Sequence, residues 1–308
     1  MLYPALVVIA LLIASAETPA RGNVLEVGPA QPLKLPSNAA AVAKPGDVIQ
    51  IAPGTYFDCA VWRTSNLTIE ATGKGAVLAD KTCAGKGIFV IVGSDIAVHN
   101  LTFERAAVPD GNGAGIWAEG RDLTVEDSGF IDNENGILAA SVAGSVIRIV
   151  NSLFRGNGKC SSMCAHGIYV NGIDRLEVEH SHFIDQHAGH HIKSRARSTL
   201  LIDNDIADGL DGNSSYLIDI PNGGDLLIQG NRLHKGRRSE NPGTVVAIGL
   251  EGVKNPTRSL VIRDNTVVSD LPFPTLFVNN RTSSQAILTG NRLHGQIKPL
   301  EGPGLVTP

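Results

Sequence analysis

The sequence predicts an all-β chain wound into a right-handed parallel β-helix with a short N-terminal capping helix. Three observations predict it. The first is a repeated phrase of two alternating apolar residues, a turn-forming polar residue and a closing apolar residue. It reads Ile96-x-Val98-x-Asn100-x-x-Phe103 and recurs as Leu123/Val125/Asp127/Phe130, Ile147/Ile149/Asn151/Phe154 and Leu176/Val178/His180/Phe183. It continues as Asn204/Ile206, Asn231/Leu233, Asn265/Val267 and Asn291/Leu293, so the closing residues are separated by 27, 24, 29, 23, 27, 34 and 26 positions. A period of that size marks stacked units, because one unit cannot bury its own apolar face. The second is the alternation of period two inside each phrase, which specifies strand rather than helix. The third is a second phrase in seven segments whose third position is always Ile or Phe: Ile116, Ile137, Ile168, Ile192, Ile220, Ile248 and Phe277. That column is expected to point into the coil, and its neighbours along the strand outward.

Taken in order, residues 5–13 form an apolar run followed by Ala14-Ser15-Ala16, a small-residue cleavage pattern. The run is too short to span a bilayer and suits a secretory signal peptide over 1–16, with a buried terminal strand as the alternative. Residues 17–46 read as a lead-in and N-terminal cap. Within them 17–35 is extended, and Ser37-Asn38 caps a short helix stopped by Pro45-Gly46. Such a helix suits the open end of a solenoid, which needs covering. The β-helix proper is expected over 47–295, and 296–308 as a C-terminal tail, an extended cap or disordered. Its 34 glycines suit the tight turns between short strands.

Composition narrows the partners. With 308 residues and no composition shift, a solenoid needs no second core. A net charge of −4 argues against nucleic acid, and 5% aromatic residues argue against a broad sugar-stacking platform. No later segment is apolar enough to span a membrane, and a monomer is expected. The four cysteines behind a signal peptide favour disulfides in an oxidising compartment, secreted or periplasmic. Local pairing, Cys59 with Cys83 and Cys160 with Cys164, is the simplest of three connectivities; no CxxC spacing supports zinc.

The stretch Pro45-Gly-Asp-Val-Ile-x-Ile-x-Pro-Gly-Thr-Tyr56 resembles the opening coil of secreted β-helix proteins, pectate-lyase-like and alginate-lyase-like chains among them. The repeats through 295 resemble the generic parallel β-helix repeat. The run from His191 to Ala196 with Ser215 to Gly224 resembles a group of bacterial β-helix repeat proteins. The resemblance implies the fold and leaves activity open, since lyases, epimerases, hydrolases and adhesins share it. Lys193-Ser194 followed by Asp203-Asn204 is similar in kind to a Lys-Ser step of alginate lyases and chondroitinase B. Their next coil carries an Arg acting as acid, where this chain has Asp219-Ile-Pro-Asn-Gly223.

The candidate site is His191, Lys193 and Arg195, expected on three successive outward positions around Ile192. Column alignment puts Tyr169 and Asn171 below Lys193 and Arg195, Asp219 above His191, and Pro221 above Lys193. Such a cluster suits an acidic sugar. Elimination at a uronate needs a cation on the carboxylate, a base for the adjacent C–H and an acid for the leaving oxygen. Arg195 is expected to hold the carboxylate, Lys193 to be the base, and Tyr169 or His191 the acid. Asn171, Asp219 and Asn222 are the expected substrate-binding neighbours. A solubilising strand face is the competing reading.

His166 and His190 are expected to bind turn backbone on the inward or corner side; metal ligation, with His187, His190 and His191 clustered in sequence, is the weaker alternative. Asp208, Asp211 and Asn213 share one turn, where calcium competes with an ordinary Asx-turn; no cofactor is otherwise expected. Asn204, Asn231, Asn265 and Asn291 are expected to stack as a ladder in αL or turn geometry. The sequence therefore supports an exported enzyme acting on an acidic, uronate-containing polysaccharide by β-elimination or epimerisation. A non-catalytic carbohydrate-binding or cell-envelope protein is the alternative. Hydrolysis is disfavoured because two flanking carboxylates are required and Glu251 looks displaced from Asp219.

Overall fold

The computed structural model describes residues 22–161 and 163–308. The expected signal segment, residues 1–16, lies outside them. The described chain winds into a parallel β-solenoid with three sheets, of twelve, ten and ten strands. Each strand pairs with its counterpart one coil away, so hydrogen bonds run along the axis.

The first phrase builds two of the sheets. Ile96, Leu123, Ile147 and Leu176 occupy one register column of the twelve-stranded sheet. All eight closing residues, from Phe103 through Phe130, Phe154, Phe183, Ile206, Leu233 and Val267 to Leu293, occupy one column of the neighbouring sheet. Phe103, Phe130, Phe154 and Phe183 stack with centroids 5.3, 4.7 and 4.6 Å apart and planes within 12°. Each such contact contributes roughly 0.5–1.5 kcal/mol beyond burial. The corner opposite must be small. A Cβ on Gly115 would lie 2.9 Å from Phe130, and one on Gly136 2.8 Å from Phe154.

The second phrase forms the third sheet. Ile116, Ile137, Ile168 and Ile192 are in register and buried, as expected. Beyond them the sequence alignment slips at two steps, although Ile220 still pairs with Ile248 as aligned. Ile192 pairs with Ile218, not Ile220, and Lys193 pairs with Asp219. Ile248 is level with Asn280, and Phe277 lies within the strand Thr275–Asn280 just before Val278, which pairs with Val246. The first error is a slip of two residues, which leaves every inward residue inward, so hydrophobic alternation cannot detect it.

The Asn ladder is present. Nδ2 of Asn204, Asn231 and Asn265 donates to Oδ1 of the next Asn at 2.9, 3.1 and 2.8 Å. The same oxygens accept backbone N–H groups, and Ser181, Ser152 and Ser128 extend the column. The left-handed turn position is the preceding residue: Asp203 at φ 54°, Gly230 at 70°, Asp264 at 59° and Gly290 at 64°. Asn100, Asp127 and Asn151 hold that left-handed position in earlier coils. The ladder asparagines are thus buried donors and acceptors rather than αL residues.

The helix spans Pro36–Val42 and begins before Ser37, with Leu35 as the boundary residue. Pro36 takes the first turn, where no amide donor is needed. Asn38 Oδ1 accepts the Leu35 N–H at 3.1 Å, and Asp58 accepts the Ser37 N–H at 2.8 Å. The helix packs on strands Val24–Val27 and Ala60–Trp62. At the other end, Ile297–Glu301 and Gly304–Thr307 add one strand each to two sheets. Both disulfides, Cys59–Cys83 and Cys160–Cys164, are formed in the local pairing.

Candidate functional site

The third sheet carries one continuous outward column: Val90, Trp117, Leu138, Tyr169, Lys193, Asp219, Ala247 and Asn279. Alternation sets it, since each residue follows an inward Phe, Ile or Val. Tyr169, Lys193 and Asp219 therefore stand on three consecutive coils, side by side. Two residues further along the strands lie Asn171 and Arg195, whose backbone amides bond Ala139 and Val170 of the coil before.

Lys193 Nζ lies 3.2 Å from Asp219 Oδ2 and donates to Glu251 Oε1 at 2.7 Å. Arg195 spreads its fork over three partners. Nε donates to the Tyr169 hydroxyl oxygen at 3.0 Å, Nη1 to Asn222 Oδ1 at 2.6 Å, and Nη2 to Glu251 Oε2 at 2.5 Å. One carboxylate, that of Glu251, thus bridges both cations. Both cations also lie over the Tyr169 ring, at 5.8 and 5.7 Å from its centroid. Glu251 reaches them from two coils away on a strap of residues 249–255. The strap is tied down by Glu251 N–H to Pro221 O at 3.0 Å, and by Lys254 and Asn255 N–H to Asn222 O at 2.9 and 3.1 Å. Asn255 Nδ2 adds bonds to Arg195 O and Ala196 O. Asp219 and Ala247 are buried, whereas the Glu251 side chain stays 44% exposed.

Burial and charge pull the acids apart. Burial pushes the Asp219 carboxyl up to about 6, against the attraction of Lys193. Partial burial also opposes ionisation of Glu251, but hydrogen bonds from Lys193 and Arg195 outweigh it and hold the carboxyl below its ordinary value. Two buried histidines flank the site. His166 and His190 stack at 5.0 Å, and His190 stacks on Tyr216 at 5.1 Å. Each Nδ1 accepts a backbone N–H of the next coil, from His190 and Tyr216 respectively, at 3.0 Å. An accepting Nδ1 leaves the proton on Nε2. His190 Nε2 lies 3.4 Å from Asp219 Oδ2. Burial, with the Lys193 charge, depresses His190 to about 3, and burial likewise holds His166 well below its ordinary value. Both rings are neutral.

His191 does not join Lys193 and Arg195. It is 1% exposed and faces the interior, edge-on to Phe183, with Nε2 3.3 Å from Asp208 Oδ1. The strand begins only at Ile192, after left-handed Ala188 and Gly189. Period-two alternation does not extend through that corner, so 191 and 192 both point in. Asp208 also accepts from Ser214 and from Gly236 N–H at 2.9 Å, with the buried Lys235 ammonium 4.0 Å away. The turn oxygens therefore diverge. Asp208 is inside, Asp211 is exposed, and Asn213 Oδ1 accepts the Ala188 N–H. Among the described residues no group of three or more His, Cys, Asp or Glu is placed to hold a metal ion.

Of the expected site residues, Tyr169, Lys193, Arg195, Asp219 and Asn222 converge. Asn171 lies one coil below Arg195, its amide donating to Ala139 O at 2.8 Å. Glu251 and His190 were missed as members. Gly249 at φ 78° and Gly252 at 89° signal that the chain leaves the sheet around Glu251, but not that it folds back two coils.

No protein-family model matches the chain, and no curated protein matches its sequence. Among solved structures, the chain is similar to pectate lyase Pel9A, with TM-score 0.61 and 14% identity over 91% of this chain and 79% of that one. It also aligns with the A-module of Azotobacter vinelandii mannuronan C-5 epimerase AlgE4, with TM-score 0.47 and 14% identity over 88% and 93%. An alginate lyase from Paenibacillus sp. aligns with TM-score 0.40 and 15% identity over 85% and 96%. The first likeness establishes a pectate-lyase-like β-helix and speaks to fold alone.

Proposed function

We propose that the chain acts on a uronate-containing polysaccharide, by β-elimination or by epimerisation at the carbon bearing the carboxylate. One observation carries this reading: Lys193 and Arg195 jointly grip an exposed carboxylate, that of Glu251. A uronate carboxylate presents the same two oxygens to the same donors, and neutralising it acidifies the neighbouring C–H.

Lys193 takes a different role from the expected base. Its ammonium is ion-paired with two carboxylates, Asp219 and Glu251, so it serves as the carboxylate's partner. Tyr169 is the better proton-transfer group, because its hydroxyl stands beside the carboxylate grip and accepts a hydrogen bond from Arg195 Nε–H. In elimination the Tyr169 oxygen, once deprotonated, takes the proton from the carbon next to the carboxylate. The carbon–oxygen bond to the leaving sugar breaks, a carbon–carbon double bond forms, and the leaving oxygen takes up the proton. Epimerisation uses the same abstraction and returns a proton to the opposite face. The pair of disulfides supports export to an oxidising compartment. Among the described residues no helix is long and apolar enough to cross a membrane.

The test is incubation with polygalacturonate, alginate and glucuronate-containing polymers, read by ultraviolet absorbance of unsaturated uronate and by proton NMR. Activity is expected for the wild type and a loss of at least roughly 100-fold for Lys193→Ala and Tyr169→Phe. Saturable binding with no chemical change in any polymer rejects the enzyme and leaves a glycan-binding protein. Full activity in both variants rejects the site.

A further inference from the structure

Trp62 is buried in the core, but Trp117 is only half-buried, on the column that carries Tyr169 and Lys193, two coils before Tyr169. Trp117, Leu138, Tyr169 and Asn171 line a cleft of ≈ 190 Å³, walled by Asn112 and by Met163 and Cys164. The wall loop is closed on itself by Cys160–Cys164. Lys86 sits over the indole, 5.9 Å from its centroid, ion-paired with Glu119.

We infer that this cleft is a second sugar subsite, in which one pyranose of an acidic glycan stacks on Trp117 while a uronate further along the chain is held by Lys193 and Arg195. The inference rests on the acidic-glycan reading above and adds the direction in which the chain lies. Coils rise by about 4.8 Å, close to the length of one sugar unit in an extended glycan. A glycan running along the axis therefore places successive rings over Trp117, Leu138, Tyr169 and Lys193. Indole offers the apolar face that the C–H side of a pyranose needs. The Asn112 and Asn171 amides supply polar contacts at its rim. Continuity supports the same conclusion, because Tyr169 belongs both to this cleft and to the Lys193 and Arg195 cluster.

Dissociation constants of oligogalacturonates and oligomannuronates of increasing length, measured by calorimetry, test this. For the wild type, affinity is expected to rise roughly 5- to 10-fold when the oligomer becomes long enough to cover four coils. Trp117→Ala should abolish that step and leave the affinity of the dimer unchanged, while Trp117→Phe should retain part of it. The same length dependence in wild type and Trp117→Ala overturns the subsite and leaves the Lys193 and Arg195 reading intact. No binding of any oligomer by the wild type overturns both. Thermal midpoints of the two variants, expected to match the wild type, separate lost stacking from lost fold.

Discussion

Glu251 decides the charge of the candidate site. Lys193 and Arg195 are balanced by Glu251 and Asp219 when both acids are ionised, so the cluster is neutral above about pH 6 and singly positive below it. An anionic sugar prefers the positive form. Affinity for a simple uronate is therefore expected to fall as pH rises through about 6, and Asp219→Asn should remove that dependence and bind more tightly at neutral pH. Calorimetric titration across that range reads both; a wild-type affinity flat with pH rejects the assignment to Asp219. The same carboxyl holds its proton longer folded than unfolded, so its contribution to stability declines as pH rises from 3.8 to about 6. The inner cluster behaves oppositely to a site, since all of Asp208's partners are protein groups. Asp208→Ala strands His191, Ser214, the Gly236 N–H and the Lys235 ammonium, and is expected to cost about 3–5 kcal/mol, read from the urea midpoint. Tyr169, Lys193 and Arg195 were legible in the sequence because regular alternation governs them. His191 was not, because its orientation is set by two left-handed residues before the strand.

At the scale of elements, the phrases translate directly into columns. Phenylalanines spaced one coil apart stack, and asparagines spaced one coil apart bond each other. A ladder member serves neighbours on both sides. Asn231 Oδ1 accepts from Asn204, and its Nδ2 donates to Leu201 O and Asn265. Asn231→Ala should therefore cost about 1–3 kcal/mol, whereas Asn291→Ala, partly exposed near the end of the column, should cost less. Parallel denaturant curves decide this, and equal losses would contradict the ladder's cumulative character. Strand identity and facing were readable. Register at the step after Ile192 was not, because the length and path of the 208–216 turn set it and a slip of two leaves the apolar pattern unchanged.

At the scale of the molecule, the solenoid follows from the repeat, and its outward face follows from the solenoid. The strap of residues 249–255 does not. It is short, polar and glycine-flanked, like many surface turns, and only its hydrogen bonds to Pro221, Asn222 and Arg195 show where it lies. Its position has a consequence for a polymer. The outward column opens into a cleft beside Trp117, Leu138 and Tyr169, whereas past Lys193 the strap is bonded across Pro221 and Asn222. A glycan laid along it has room on one side of Lys193 and none on the other, so it must present a terminus. If the proposed elimination is the reaction, cleavage should consequently release small products of one size from the first minutes, with solution viscosity falling slowly per bond broken. Rapid thinning of a polyuronide solution would mean that the strap swings aside.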